Sequence, residues 1–225
     1  MRKLFKFIPK EVPEELKYGI KSMEEEIANM LSHGIGLVFF ILACPILIFK
    51  STQSDLENFT LASIIFSISL LMVYTSSTTY HSVYKLKLRL RLRVFDHISI
   101  YFLIAGSFTP FVLVMLKSNA GYWVLSILWI AVIIGTVFKY FFTHKFNLVS
   151  TLAYVAMGAM ALFVIEPLHE VLSEKSFMFL AIGLGSYLIG VPFYLWKKLY
   201  FNHFIWHVFV LGGSFFSYLA IYYIG

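Results

Sequence analysis

Seven stretches of this 225-residue chain contain no Asp, Glu, Lys or Arg: 27–49, 58–84, 97–116, 118–138, 146–165, 176–196 and 199–225. An α-helix rises about 1.5 Å per residue and the hydrocarbon core of a bilayer is about 30 Å thick, so about 20 apolar residues cross it once. Seven crossings nearly use up the chain. The sequence therefore predicts an all-α bundle of seven transmembrane helices, with spans near 30–49, 59–81, 95–116, 121–138, 147–165, 176–196 and 203–224. Only 13% of residues are charged, about half the share of a soluble domain, which excludes an ordinary water-soluble enzyme.

Residues 1–25 form a separate N-terminal segment and 26–225 one membrane domain. The segment mixes Lys and Arg with Glu, carries Pro9 and Pro13, and lacks the apolar core and cleavage site of a secretory signal. The single cysteine, Cys44, excludes an intramolecular disulfide and a cysteine metal cage; it is expected to pack inside the first span. Glycines at 183, 185, 190, 212 and 213 read as points of close helix approach. Tyr122, Trp123, Trp196 and Tyr200 read as interfacial anchors.

The net charge of +6 is explained by where the cations fall. Six Lys or Arg lie in the N-terminal segment, five in an 85–93 loop, and four more (Lys139, Lys145, Lys197, Lys198) flank the later loops on the same side. The alternate loops hold only Lys50, Lys117 and Lys175. Fifteen against three predicts a cytoplasmic N-terminus and an external C-terminus. The 85–93 run then reads as a topology anchor at anionic headgroups, and no nucleic-acid partner is expected.

This orientation brings polar groups from four spans to one membrane face. Glu26, Asn29, Ser32 and His33 begin span one; Ser77 and His81 end span two; Asp96 and His97 begin span three; His203 and His207 begin span seven. Ionisable residues within spans are costly and mark function by default. His203 and His207 are four apart, on one helical face, suited to binding one cation. His81 supplies a third imidazole, and three His plus water is the open arrangement of a catalytic zinc site, although imidazole suits iron, copper and nickel too. Ser77 shares the face of His81, and Asp96 is placed to orient a water or accept its proton. Glu26, Asn29 and His33 share one stripe, either capping the bundle or approaching the site. His97, about 100° from Asp96 on its helix, reads as an interface residue, and His144 and His169 as solvated surface.

Together, Glu26-x-x-Asn29-x-x-Ser32-His33, Ser77-x-x-x-His81, Asp96 and His203-x-x-x-His207 resemble the progestin and adipoQ receptor family, specifically its bacterial hemolysin III branch. The strings Phe95-Asp96-His97-Ile98 and His203-Phe204-Ile205-Trp206-His207 add to the resemblance. It implies Zn2+ held by His81, His203 and His207, with Ser77 and Asp96 supporting a water. It also implies kinship with alkaline ceramidases, while other family members are hormone receptors, hemolysins or regulators of membrane fluidity.

Two functions are therefore expected of a multi-pass plasma-membrane protein whose partners are membrane lipids, with no obligate protein partner. One is a zinc-dependent hydrolase of a lipid amide or ester bond, with Asp96 as general base. The alternative is a regulator or sensor of membrane lipid state in which zinc ties spans two and seven. A cytolytic pore is the weakest reading, because the spans offer no continuous charged lining.

Overall fold

A computed structural model describes residues 21–143 and 146–224, which are all-helical, with no strand among them. The described helices are α1 (Met23–Thr52), α2 (Phe59–Ser82), α3 (Leu86–Pro110), α4 (Asn119–Phe142), α5 (Asn147–Ala159), α6 (Ile165–Val171), α7 (Glu174–Leu195) and α8 (Asn202–Tyr222). A π-helical segment, Phe111–Leu116, prolongs α3. Six helices are long and apolar enough to cross a membrane, and α5 with α6 makes a seventh crossing if that bent pair is one span. Most of the N-terminal segment, and the expectations placed on His144 and Lys145, lie outside the described residues.

Two helices start earlier than the charge gaps predict. Ser22 caps α1: its hydroxyl accepts from the Glu25 N–H at 3.2 Å, and the Glu25 carboxylate accepts from the Ser22 N–H at 3.3 Å. Glu24, Glu25 and Glu26 then complement the positive end of the helix dipole. The 85–93 stretch is not a loop but the first two turns of α3. At about 1.5 Å per residue, α1 and α3 with its extension each exceed the hydrocarbon core by roughly 15 Å. The overhang lets charged turns stand beyond the lipid tails.

The predicted fifth span, 147–165, is not one straight helix. After α5 the chain tightens into a 3-10 turn, Met160–Phe163, and α6 departs at 49°. Pro167 has no N–H to bond the carbonyl four residues back, and its ring crowds that carbonyl, so α5 cannot run unbroken into α6; in the first turn of α6 itself, where an N–H has no intrahelical partner, proline is tolerated.

α1 packs on α2, α2 on α3, α3 on α4, and α7 on α8, while α8 returns to α1. Phe40, Leu47, Phe66, Leu70, Tyr74, Leu128 and Ile221 are fully enclosed between them, and Cys44 is buried as expected. Ile35, Leu42, Phe49, Ile133 and Leu188 face outward as a lipid-facing belt, as do Trp123 and Trp196. Gly213 is where α8 meets α7: a Cβ there would stand 2.6 Å from the Tyr187 ring. Gly185, also read as a packing glycine, faces open space instead. Gly36 matters most to the site, because a Cβ there would lie 2.7 Å from Tyr74 and 2.9 Å from Leu211, at the junction of α1, α2 and α8 one turn beyond His33.

Candidate metal centre

The last turn of α2 carries His81, and the first two turns of α8 carry His203 and His207. Each ring offers one nitrogen, and the three lie within 4.8 Å of one another. Ring centroids are 5.3 Å apart for His81 and His203, 5.1 Å for His81 and His207, and 4.5 Å for His203 and His207.

Hydrogen bonds set the tautomers of two rings. Nδ1 of His81 lies 2.6 Å from Oε2 of Glu26, a carboxylate that only accepts, so that nitrogen carries the proton. Nδ1 of His207 lies 3.2 Å from the Asn29 carbonyl and 3.1 Å from Ser32 Oγ. The Ser32 hydroxyl already donates to that carbonyl at 2.8 Å, so His207 Nδ1–H is the donor to both. In each ring the lone pair is left on Nε2. Both Nε2 atoms are buried without a hydrogen-bond partner. An unpaired polar atom away from water costs about 1–3 kcal/mol, and two beside a third imidazole answer to a cation. Neutral imidazoles fixed through Nδ1 are the donor set of zinc sites, so these residues fit the ion that the resemblance implies.

Glu26 is the hub of the surrounding shell. Its other oxygen receives the Arg89 guanidinium and the Lys21 backbone N–H at 3.1 Å. Arg89 also donates to the Val83 carbonyl at 3.2 Å and lies 4.6 Å from the centre of the Tyr80 ring. The group is enclosed: Glu26 is 3% exposed and Arg89 5%. Arg89 is thus not a headgroup anchor, as the sequence suggested, but an inward partner of the site. Positions 89, 93 and 96 follow i, i+4, i+7, the spacing that would have placed Arg89 on the Asp96 face had this stretch been read as helix.

Asp96 and Ser77 are both buried. Around Asp96 stand the His81 ring, the Ser77 hydroxyl and the guanidinium groups of Arg93 and Arg89, and Ser77 Oγ is buried without a well-formed hydrogen bond. Asp96 sits ten residues into α3 rather than at a span's start, yet the overhang of α3 keeps it level with the histidines. His33 stacks on His207, with centroids 3.6 Å apart and planes 9° from parallel, and meets the Tyr74 ring edge-on. Neither its ring nitrogens nor the Asn29 side-chain amide has a hydrogen-bond partner.

The remaining histidines stand apart. His97 Nδ1 lies 3.1 Å from Nζ of Lys139 on α4, and its carbonyl accepts from the Tyr154 hydroxyl on α5 at 2.8 Å. His169 is exposed on α6, beside Phe177. Sequence reasoning missed Asn202, fully buried immediately before His203; its partners lie on other helices and leave no local pattern.

Comparison with known proteins matches this framework. The family model for haemolysin-III related proteins matches residues 21–218. The chain is similar to the Hemolysin-3 of Bacillus cereus, 41% identical over 192 residues covering 85% of this chain and 88% of that protein. It is 43% identical over 197 residues to the Hemolysin-3 homolog of Bacillus subtilis, covering 86% and 91% respectively. A more distant likeness, 27% over 207 residues, is to the human Monocyte to macrophage differentiation factor, with 88% and 83% covered. No solved structure matches. With the family model spanning residues 21–218, this multi-pass membrane chain belongs to the haemolysin-III related family.

Proposed function

We propose that this protein is a zinc-dependent hydrolase of a lipid amide or ester bond, working at the cytoplasmic face of the plasma membrane. The observation that carries the reading is the pair of orphaned Nε2 atoms on His81 and His207, beside His203, with an acidic residue and a hydroxyl enclosed nearby. Three protein ligands are the number that leaves a coordination position open. The fifteen-to-three distribution of cations supports a cytoplasmic N-terminus and, with it, a centre at the inner leaflet, where lipid would be both solvent and substrate.

His81, His203 and His207 would hold the ion, which supplies a Lewis acid for the substrate carbonyl and makes water more acidic. Glu26 fixes the His81 ring, and Ser32 with the Asn29 carbonyl fixes that of His207. The Asp96 carboxylate takes the proton of the attacking water as its oxygen bonds to the carbonyl carbon. It returns that proton to the leaving nitrogen or oxygen as the acyl bond breaks, releasing a fatty acid and an amine or alcohol. Ser77 Oγ, beside Asp96, orients the water. The enclosed shell keeps bulk water away and strengthens these interactions.

The test is release of free fatty acid by purified, zinc-loaded protein from a panel of ceramides, acyl amides and phospholipids. Release abolished by Asp96→Ala, with zinc retained, is the expected result. No release from any substrate, beside an active alkaline ceramidase, overturns the reading.

A second reading draws on the same geometry. The histidines and the Glu26–Arg89 pair join α1, α2, α3 and α8 at one end of the bundle. A zinc tie there would couple helix packing to the state of the surrounding lipid. A membrane phenotype that survives Asp96→Ala but not His207→Ala favours this alternative.

A further inference from the structure

Two of the three imidazoles are oriented by hydrogen bonds to their own Nδ1, but among the described residues none holds the ring of His203. Its surroundings are aromatic: Trp206 at 5.0 Å and Tyr194 at 6.0 Å between centroids. Ring stacking restrains an imidazole plane but leaves open where the helix carrying it begins. What fixes that start is the residue before it.

Asn202 is 0% exposed. Its Nδ2 donates to the carbonyls of Phe193 at 3.0 Å and Tyr194 at 3.4 Å, in the last turn of α7, where carbonyls lack intrahelical partners. Its Oδ1 accepts from Nζ of Lys21, just ahead of α1, at 2.6 Å. Lys21 is braced in turn by Glu25 at 3.4 Å, and the same Glu25 oxygen accepts the backbone N–H of Phe201 at 3.2 Å. Phe201 has φ of 59°, a left-handed conformation that is strained for a non-glycine residue. Such a turn persists where neighbours over-determine it, and here the start of α1 and the end of α7 both grip it.

We propose that Asn202 and Lys21 are positioning residues for the metal centre: the clasp of Lys21, Glu25 and Asn202 on the α7–α8 turn sets the direction of His203, as Glu26 and Ser32 set those of the other two rings. The inference rests on the zinc reading above, so its test includes a measurement made without metal. A control is built into the fold, since Lys50 donates to the Tyr222 carbonyl and so joins α1 to α8 at the opposite end.

The experiment compares Asn202→Ala, Lys21→Met, Lys21→Arg and Lys50→Met in nanodiscs. Zinc affinity is read by chelator competition, and the His203 ring resonance by NMR of histidine-labelled, metal-free protein, assigned with His203→Ala. Asn202→Ala weakens zinc at least tenfold and splits or broadens the His203 resonance. Lys21→Met weakens zinc three- to fivefold, and Lys21→Arg restores most of that loss. Lys50→Met changes neither readout, even where it lowers thermal stability as much as Asn202→Ala does. The proposal is overturned if Asn202→Ala keeps a single sharp His203 resonance with zinc affinity within twofold of wild type, or if Lys50→Met weakens zinc equally. If Asn202→Ala fails to fold, the Lys21 pair decides. If the wild type takes up no zinc, the metal reading falls, and the His203 resonance of the metal-free variants decides the clasp by itself.

Discussion

Glu26 and His81, 55 residues apart in sequence, meet at 2.6 Å between Oε2 and Nδ1 in a buried contact that Arg89 closes from the other side. The buried Glu26–Arg89 ion pair adds little to stability, because desolvating both charges offsets their attraction, and the bond from Glu26 to the neutral His81 ring adds no second charge. The value of the Glu26–His81 contact lies in orientation. The carboxylate holds the ring proton on Nδ1, leaves the lone pair on Nε2, and points that nitrogen at the other imidazoles.

Weakening this contact should therefore show first in the metal. Glu26→Gln is expected to lower zinc affinity by about 10- to 100-fold, the range typical of partners that orient a ligating histidine. Glu26→Ala additionally leaves Arg89 buried without its carboxylate and should cost about 3–5 kcal/mol of stability. Chelator competition and thermal melting separate the two effects. Unchanged zinc affinity in Glu26→Gln would mean that His81 does not depend on Glu26.

Removing the ligands themselves gives the sharper contrast. Metal content of the purified protein should be one zinc per chain and fall to near zero in His81→Ala and His207→Ala. It should stay near one in Asp96→Ala and Ser77→Ala, which contribute to chemistry rather than to binding. A full zinc complement in either histidine variant is incompatible with the centre described above.

His33 belongs to the same motif yet stands differently. Its ring lies parallel to that of His207 at 3.6 Å, so its nitrogens lie in a separate, parallel plane, and it is not among the three histidines whose nitrogens come together. Phe preserves the stack and the contact with Tyr74. His33→Phe is expected to hold zinc within about threefold of wild type, since it keeps the ring stacked on His207 and removes no ligand. His33→Ala opens a cavity and should lower the melting temperature. A collapse of zinc binding in His33→Phe would make His33 a ligand.

Much of this was legible in the sequence because lipid imposes one rule throughout: a helix crossing hydrocarbon shows as about 20 residues without charge. The same rule hid the ends. A charge gap closes at the first ionisable residue, whether that side chain meets water or turns inward, so Glu26 and Asp96 looked like the borders of spans one and three and Arg89 like part of a loop, although all three are buried. The histidines at 203 and 207 announced themselves by helical spacing, and His81 by its chemistry. Asn202 did not, because Lys21 and the α7 carbonyls approach it only through the packing of three helices. The bend at Ile165 was hidden by uniform hydrophobicity, with Pro167 its one local sign.

Orientation is testable with the chain's own chemistry. Cys44, the single cysteine, is 1% exposed in the core between α1 and its neighbours and should be silent toward a membrane-impermeant maleimide. Single cysteines introduced at exposed positions then report their side without background. Lys175→Cys lies at the end of the bundle opposite the histidines, and Lys198→Cys in the turn leading to α8. With the N-terminus cytoplasmic, intact cells label Lys175→Cys, while Lys198→Cys labels only after the membrane is opened. The histidine cluster shares the side of residue 198, so the same pair of reagents locates the site: protection of Lys198→Cys in intact cells puts His81, His203 and His207 at the inner leaflet. Labelling of Lys198→Cys from outside would move the centre to the outer leaflet and give it a different population of lipids to act on.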